Sequence, residues 1–296
     1  MPAALIFRKV ATGGTLLWLG LWMMAGVAGP VRAENTRIVS LNPSLTSILV
    51  VLGAADRLVG VDDYSAQEIE EVSALPRVGG LFNPSLEAVV GLKPDLVVLV
   101  PSAEQRDFQA RLAALGIRVE TFENVRFDQV LENIERLGVL ADRRDAAARR
   151  IHDISRVRET ARVLTGGRDP QKVLMVLQRD PLYVVGHGNF MAEMVTGLGA
   201  RNGAASFSEP YPRVAREWLV ESAPDILIDL SPDTGDPAAF WSRWPSIPAV
   251  AQGRIVRLDP GLIGMPGPYL DRATLQLAAS LYGPEFAARI EAESRP

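Results

Sequence analysis

Two short, unbroken apolar runs, each introduced by a Pro-Asp pair, limit this chain more than any other feature. Pro94-Asp95 leads into Leu96-Val97-Val98-Leu99-Val100, and Pro224-Asp225 leads into Ile226-Leu227-Ile228. A strand without polar alternation has both faces buried, as in a parallel sheet covered by helices on either side. Each Pro-Asp has a glutamate seven residues before it, Glu87 in one case and Glu217 in the other. Over residues 86–98 and 216–228 the glutamate, proline, aspartate and hydrophobic pattern agree, so the chain reads as two related lobes.

The rest of each lobe alternates in the same way. Residues 37–41 form an apolar run ending at Asn42-Pro43, a helix N-cap followed by a proline suited to the first helical position. A helix over 44–52 stops at Gly53, and a strand follows at 58–61. Asn83-Pro84 repeats the cap signal before a helix over 85–92; a helix at 105–115 and a strand at 117–121 complete the first lobe. In the second, strands are expected at 172–177, 226–228 and 254–258, and helices at 190–198, 214–221 and 270–281. Residues 127–164 carry no strand signal: Val130, Ile134 and Leu137 share one helical face, and a long helix spans 143–164 before Gly166-Gly167. The expected fold class is α/β: two lobes with mainly parallel central sheets flanked by helices, joined by a single long connector helix. The expected boundaries are 34–141 for the N-terminal lobe, 142–167 for the connector and 168–296 for the C-terminal lobe.

Residues 1–33 read as a secretory signal peptide. Arg8 and Lys9 are its positive region, residues 16–28 its apolar core, and Val31-Arg32-Ala33 a small-x-small cleavage site. The apolar core falls short of the roughly 20 residues of a stable span. Cleavage takes the formal net charge from -4 to -7, which gives no reason to expect a nucleic-acid partner. The chain contains no cysteine, so no disulfide and no cysteine-linked lipid anchor are expected, and the product is expected free in solution, in the periplasm of a Gram-negative cell.

The catalytic inventory is thin. His152 lies in the long polar helix and reads as solvated; His187, in the loop Gly186-His187-Gly188-Asn189, is a candidate ligand contact. No metal-ligand spacing, phosphate loop or nucleophile elbow is present, and no catalytic cofactor is expected. Asp62-Asp63 are adjacent and read as loop acids, with one of them a possible ligand contact, rather than as a catalytic pair. An exported hydrolase would need a polar constellation that the chain does not display. Aromatic residues instead gather at expected strand ends, where parallel α/β folds bind ligands. Tyr64, Phe82, Tyr183, Phe207, Tyr211 and Trp241 are the candidates, and together they would suit a bulky, partly apolar ligand.

These features resemble the helical-backbone class of periplasmic solute-binding proteins, which serve ABC importers of cobalamin, haem and ferric siderophores. The resemblance rests on residues 37–46, 52–54, 58–61, 75–79 and 86–98 in the first lobe, and on 198–202, 211–228 and 253–255 in the second. Within the class the chain is most similar to the cobalamin-binding members, through Val61-Asp62-Asp63-Tyr64-Ser65 and the segment 211–217. The resemblance implies a corrinoid such as cobalamin held between the lobes, with a ferric siderophore or haem as the alternatives. It implies a non-enzymatic protein, monomeric when free, whose partner is an inner-membrane permease dimer with its ATPase subunits. It also implies that Glu87 and Glu217 dock onto arginines of that permease. One departure is plain: cobalamin receptors often place a tryptophan near the ligand in the first lobe, and after residue 33 this chain has none before Trp218. Phe82 could stand in its place. Arg77, Arg213 and Arg272 are candidates for gripping an anionic siderophore.

Overall fold

The computed structural model describes residues 36–102 and 106–295; the expected signal peptide lies outside them. In the first half, β1 (Ile38–Ser40) leads through α1 (Pro43–Val51) to β2 (Leu58–Val61) and α2 (Asp63–Glu68). Then come α3 (Leu86–Gly91), β3 (Leu96–Leu99), α4 (Arg106–Ala114) and β4 (Arg118–Thr121). The four strands form one parallel sheet in the order β2-β1-β3-β4, with Ile38 opposite Leu96 and Leu96 opposite Arg118. Two helices follow without an intervening strand, α5 (Phe127–Leu140) and α6 (Arg144–Thr165).

The second half starts with β5 (Lys172–Arg179), β6 (Leu182–Val184), α7 (Phe190–Gly197), β7 (Arg201–Asn202), α8 (Arg216–Ser222) and β8 (Ile226–Asp229). It ends with α9 (Pro237–Trp241), α10 (Pro248–Ala251), β9 (Ile255–Arg257), α11 (Pro260–Ile263), α12 (Leu270–Tyr282) and α13 (Pro284–Ser294). Its sheet runs β6-β5-β8-β9, with β7 also beside β5; only β6 is antiparallel. Among the described residues no helix is long and apolar enough to cross a membrane.

The Pro-Asp junctions do the same work in both lobes. Asp95 accepts the Arg37 N–H at 2.8 Å, and Asp225 accepts the Lys172 N–H at 2.7 Å. Each aspartate N–H returns a bond to the carbonyl of the same basic residue, at 2.9 Å and 2.8 Å. The basic side chain then closes the carboxyl end of the preceding helix: Arg37 donates to Leu92 O and Lys172 to Ser222 O. The turn between helix and strand passes through Lys93 (φ 48°) in one lobe and Ala223 (φ 42°) in the other. Left-handed backbone at two non-glycine residues carries a real cost; its occurrence at matched positions marks one structural solution used twice. The α1 and α7 ends agree as well: Gly53 and Gly199 have φ of 73° and 69°, and the next amide bonds back to Leu49 O or Val195 O.

The connector is less solitary than its sequence suggests. α6 packs against α5 on one side and against α12 and α13 on another. At Gly138 a Cβ would sit 2.4 Å from the Ala147 Cβ, so α5 and α6 approach too closely for any side chain there. Arg150 of α6 donates to Pro268 O at 2.6 Å and pairs with Asp271 at the start of α12. One apolar cluster runs from Leu45 and Ile48 through Ile134 and Ile154 to Val195, Leu277 and Ile290, so the helical layer and both sheets share a core.

Several local expectations needed correction. α13 lies beyond the last helix expected, 270–281; Pro284 opens it at the first helical position, where a missing N–H costs nothing. Asn83 does not cap α3. The Ser85 side chain does, after residues 80–83 turn. Residue 214 is not helical, because its N–H bonds Leu182 O at the sheet edge, and α8 begins at Arg216.

Candidate functional site

The carboxyl ends of both sheets open on a shared cleft. A cavity of about 570 Å³ is walled on one side by Asn42, Pro43 and Ser44 at the start of α1, by Tyr64 and Glu68 of α2, and by Leu81 and Asn124. The opposite wall is Asp259-Pro260-Gly261 and the segment from Gly264 to Pro266. These last residues follow β9, so the two lobes contribute facing walls.

The first-lobe wall is set from beneath by a chain of buried hydroxyls and one carboxylate. Thr46 Oγ1 bonds Ser40 Oγ at 2.8 Å and lies 2.9 Å from Ser65 Oγ, which in turn bonds the Asp62 carboxylate. Asp62 is the N-cap of α2, accepting the Tyr64 and Ser65 N–H groups at 3.0 Å each. Burial pushes its pKa up, against the lowering effect of those hydrogen bonds. Asp62 is therefore a buried cap, whereas the sequence suggested a loop acid. By capping α2 it aims Tyr64 outward, and that ring is 52% exposed. Phe82, beside the wall residue Leu81, is 67% exposed.

Within the first-lobe wall Asn124 Nδ2 donates to Ser44 Oγ at 3.1 Å. The next residues join the lobes. The Phe190 N–H at the start of α7 donates to Val125 O at 2.7 Å, and the Phe127 N–H at the start of α5 donates to the Glu193 carboxylate of α7 at 2.8 Å. Each helix start thus bonds to the segment or helix facing it across the junction.

On the second lobe, β5 runs past its expected end at 177 and returns as β6, so Tyr183 is a strand residue rather than a loop residue. The segment around Arg213 lies antiparallel against Tyr183, adding another extended edge. Gly186 fits under this edge only because it lacks a side chain: a Cβ would lie 2.1 Å from Glu209 O. His187 is exposed and half-buried Tyr183 is close by in sequence, while Asn189 caps α7 and donates to Pro210 O at 2.8 Å. Tyr211 keeps part of its ring in solvent, and burial raises its phenol pKa. Tyr183, His187 and Tyr211 thus share one region of the second lobe, though none of them is in the wall of the 570 Å³ cavity.

Two candidate aromatics belong to the packing instead. Trp241 is 1% exposed, and its indole N–H donates to the Asp229 carboxylate at 2.7 Å. The expectation of a wall tryptophan is corrected by this geometry, since α9 turns the ring into the core. Phe207 packs edge-on against Trp218 at 5.0 Å, in the same apolar cluster as Trp241. Asp229 also accepts from Arg179 Nε at 2.9 Å and Ser231 Oγ at 2.6 Å. Burial by itself would raise Asp229; the bonds from Ser231, Trp241 and Arg179 outweigh it and hold the carboxyl below its usual range.

Glu87 and Glu217 lie exposed in the first turns of α3 and α8, at matched places in the two lobes. Neither has an ion pair or side-chain hydrogen bond among the described residues. Their surroundings differ: Glu217 borders a polar groove with Asp180, Arg213 and Arg216, and Arg216 reaches Asp180 at 3.6 Å. Among the described residues no group of three His, Cys, Asp or Glu could hold a metal ion. Sequence reasoning missed Glu68, Asn124, Asp259 and the Glu193 bridge. Asn124 and Asp259 were within reach, because both follow the carboxyl ends of expected strands.

Comparison with known proteins agrees with this geometry. The family described as periplasmic binding protein matches residues 38–262. The chain is similar to an uncharacterized ABC transporter substrate-binding lipoprotein of Bacillus subtilis, YvrC, with 30% identity over 86% of this chain and 83% of the relative. It is similar to a vitamin B12-binding protein of Vibrio cholerae, with 25% identity over 82% of this chain and 87% of that one. Among solved structures, a periplasmic haem-binding protein from Pseudomonas aeruginosa matches with a TM-score of 0.68 and 26% identity, over 83% of this chain and 92% of that one.

Proposed function

This chain belongs to the periplasmic binding protein family, and on that premise we propose that it binds a bulky corrinoid such as cobalamin in the inter-lobe cleft and delivers it to the permease of an ABC importer. The observation that carries this reading is the cleft shared by both lobes, with Tyr64 and the neighbouring Phe82 exposed on one side and Asn42, Ser44 and Asn124 on its wall. Exposed aromatic faces suit a large, partly apolar macrocycle, and amide and hydroxyl groups suit the amide side chains around a corrin. Tyr183, His187 and Tyr211 extend the contact surface on the second lobe. The resemblance to a vitamin B12-binding protein supports the same ligand. Haem is the second reading, favoured by the exposed imidazole of His187 next to the lobe junction.

The family is one of solute-binding transport proteins, so its partners are a membrane permease and the ATPase subunits that drive it. Glu87 and Glu217 are the docking points in this reading: matched exposed carboxylates, one per lobe, that register the receptor on basic permease residues. YvrC is named a lipoprotein. The absence of cysteine from this chain supports release into the periplasm after signal cleavage rather than a cysteine-linked lipid anchor; the free protein is read as a monomer.

Titration of the purified protein with cyanocobalamin, cobinamide, haem and a ferric siderophore tests the ligand. Corrinoid binding by calorimetry with no haem absorbance shift is the expected result. Haem binding with no corrinoid binding would overturn the corrinoid reading and leave transport intact.

A further inference from the structure

We propose that the cleft selects by charge: it takes a neutral or cationic ligand and turns away an anionic one. This rests on the reading of the inter-lobe cleft as the ligand site. The cavity wall carries two carboxylates, Glu68 and Asp259, and no lysine, arginine or histidine among its described residues. Both acids are exposed, and neither is neutralised by a cation among the described residues. Glu68 has no side-chain partner there, and Asp259 accepts only the Gly261 N–H of its own short helix, at 2.9 Å.

Most of the usual sources of attraction for an anion are closed or elsewhere; of the first N–H groups of α1 only that of fully buried Leu45 is left without an acceptor among the described residues. The start of α1 faces the cavity, and a helix N-terminus normally offers free N–H groups. Here Pro43 has no N–H, and the Ser44 N–H is held by the Asn42 side chain at 3.0 Å. At the start of α2 the Tyr64 and Ser65 N–H groups are held by Asp62. The arginines that could grip an anion do not line the cavity. Arg213 borders the groove next to Glu217, Arg272 stacks on the Tyr269 ring at 4.7 Å, and Arg77 lies where the chain pairs with the outer side of β2. Pro43, Leu81, Met265 and Pro266 supply apolar wall between the two acids. Low-dielectric walls focus the field of the charges they separate, so two acids in a cleft repel an entering anion more than the same pair on a flat surface.

The chemistry this favours is a macrocycle whose periphery carries amides. A macrocycle ringed by carboxylates, or a ferric complex with net negative charge, is disfavoured. A matched ligand pair tests it. Aquacyanocobinamide is an amide-bearing cation; aquacyanocobyrinic acid is the same macrocycle with peripheral carboxylates in place of amides. The amide ligand should bind at least about tenfold more tightly at low salt, a difference of about 1.4 kcal/mol. The gap should narrow as salt screens the wall, and narrow again in the Glu68→Gln/Asp259→Asn double variant, where asparagine can still cap α11. Equal affinities, or a gap unmoved by both salt and the double variant, would overturn charge selection while leaving the corrinoid reading in place. Haem and its dimethyl ester separate the two ideas from the other side. If neither corrinoid binds, the corrinoid reading fails. Tighter binding of the neutral ester than of haem then still upholds charge selection, and the reverse order ends it. Failure of every macrocycle to bind would end both.

Discussion

Compare the two sheets at their two ends. Where β3 and β8 begin, the lobes share an arrangement of Pro-Asp, basic residue and left-handed turn, with the same backbone–carboxylate exchange and the same helix carbonyl closed by the basic side chain. Where the same sheets end, they share little. The first lobe ends in a hydroxyl chain, Ser40, Thr46 and Ser65, closed by Asp62, whose ionisation burial opposes. The second ends in an ion pair, Arg179 with Asp229, braced by Trp241 and Ser231. It also extends β5 into a hairpin that the first lobe lacks. The repeat is kept where it builds the frame and abandoned where the frame meets the cleft.

The largest test of the symmetry concerns transport. Charge reversal of Glu87 and Glu217 together should abolish uptake in a reconstituted importer while ligand affinity stays within about twofold. Single reversals ask whether the lobes are equivalent. Glu217 has Arg213 and Arg216 at its groove, so Glu87→Arg is expected to do more harm than Glu217→Arg. Loss of ligand binding in the double variant would remove the docking assignment.

The asymmetry at the strand ends predicts the next largest effect. Asp229→Ala leaves a 4%-exposed guanidinium with only the looser ion pair to Asp233, at 3.8 Å, and should cost about 3 kcal/mol in urea unfolding. Asp62→Asn keeps the N-cap type and should cost less than about 1 kcal/mol. The two also differ in pH dependence. Asp229 is held low, so its stabilisation is present above the unfolded-chain pKa and lost as pH falls through the folded value. Asp62 is held high, so stability declines as pH rises from its unfolded value through its folded one. On acidification, Asp229→Asn should therefore lose stability less steeply than wild type, and Asp62→Asn more steeply. Parallel curves would mean that the strand ends are electrostatically alike after all.

A smaller effect is expected where the lobes meet. Glu193→Ala removes the acceptor that caps α5 and should cost about 1 kcal/mol. Faster hydrogen exchange should be confined to the first turn of α5, with Glu193→Gln restoring part of the protection. The smallest effect has the same sign in both lobes: Lys93→Gly and Ala223→Gly should each stabilise by up to about 1 kcal/mol, by relieving a left-handed non-glycine residue. A gain in one and a loss in the other would show that the two turns are not equivalent.

Much of the frame was legible because its signals are local. Asn42-Pro43 marks a helix start by chain stereochemistry alone, and LVVLV marks a buried strand by composition alone. The matched glutamates were visible for the same reason, since the first turn of a surface helix exposes its acids. The site was legible only in outline. Tyr64 lies in the cavity wall and Phe82 next to the wall residue Leu81, whereas Trp241, also a candidate, is buried, because the direction of α9 depends on Asp229, which is distant in sequence. The acidic wall escaped notice because Glu68 and Asp259 face one cavity only after two lobes have packed.

The sequence by itself determined that there are two parallel-stranded lobes, that Asn42-Pro43 starts the first helix, and which carboxylates the lobes present outward. Periodicity, caps and turn chemistry act over a few residues, so one sequence suffices to read them. The tertiary structure alone decided which strand ends face each other, that Glu193 bridges the lobes, and that the cleft wall carries negative charge without a counter-ion among its described residues. Those outcomes depend on contacts between residues far apart in the chain, and such contacts leave no periodic trace along it.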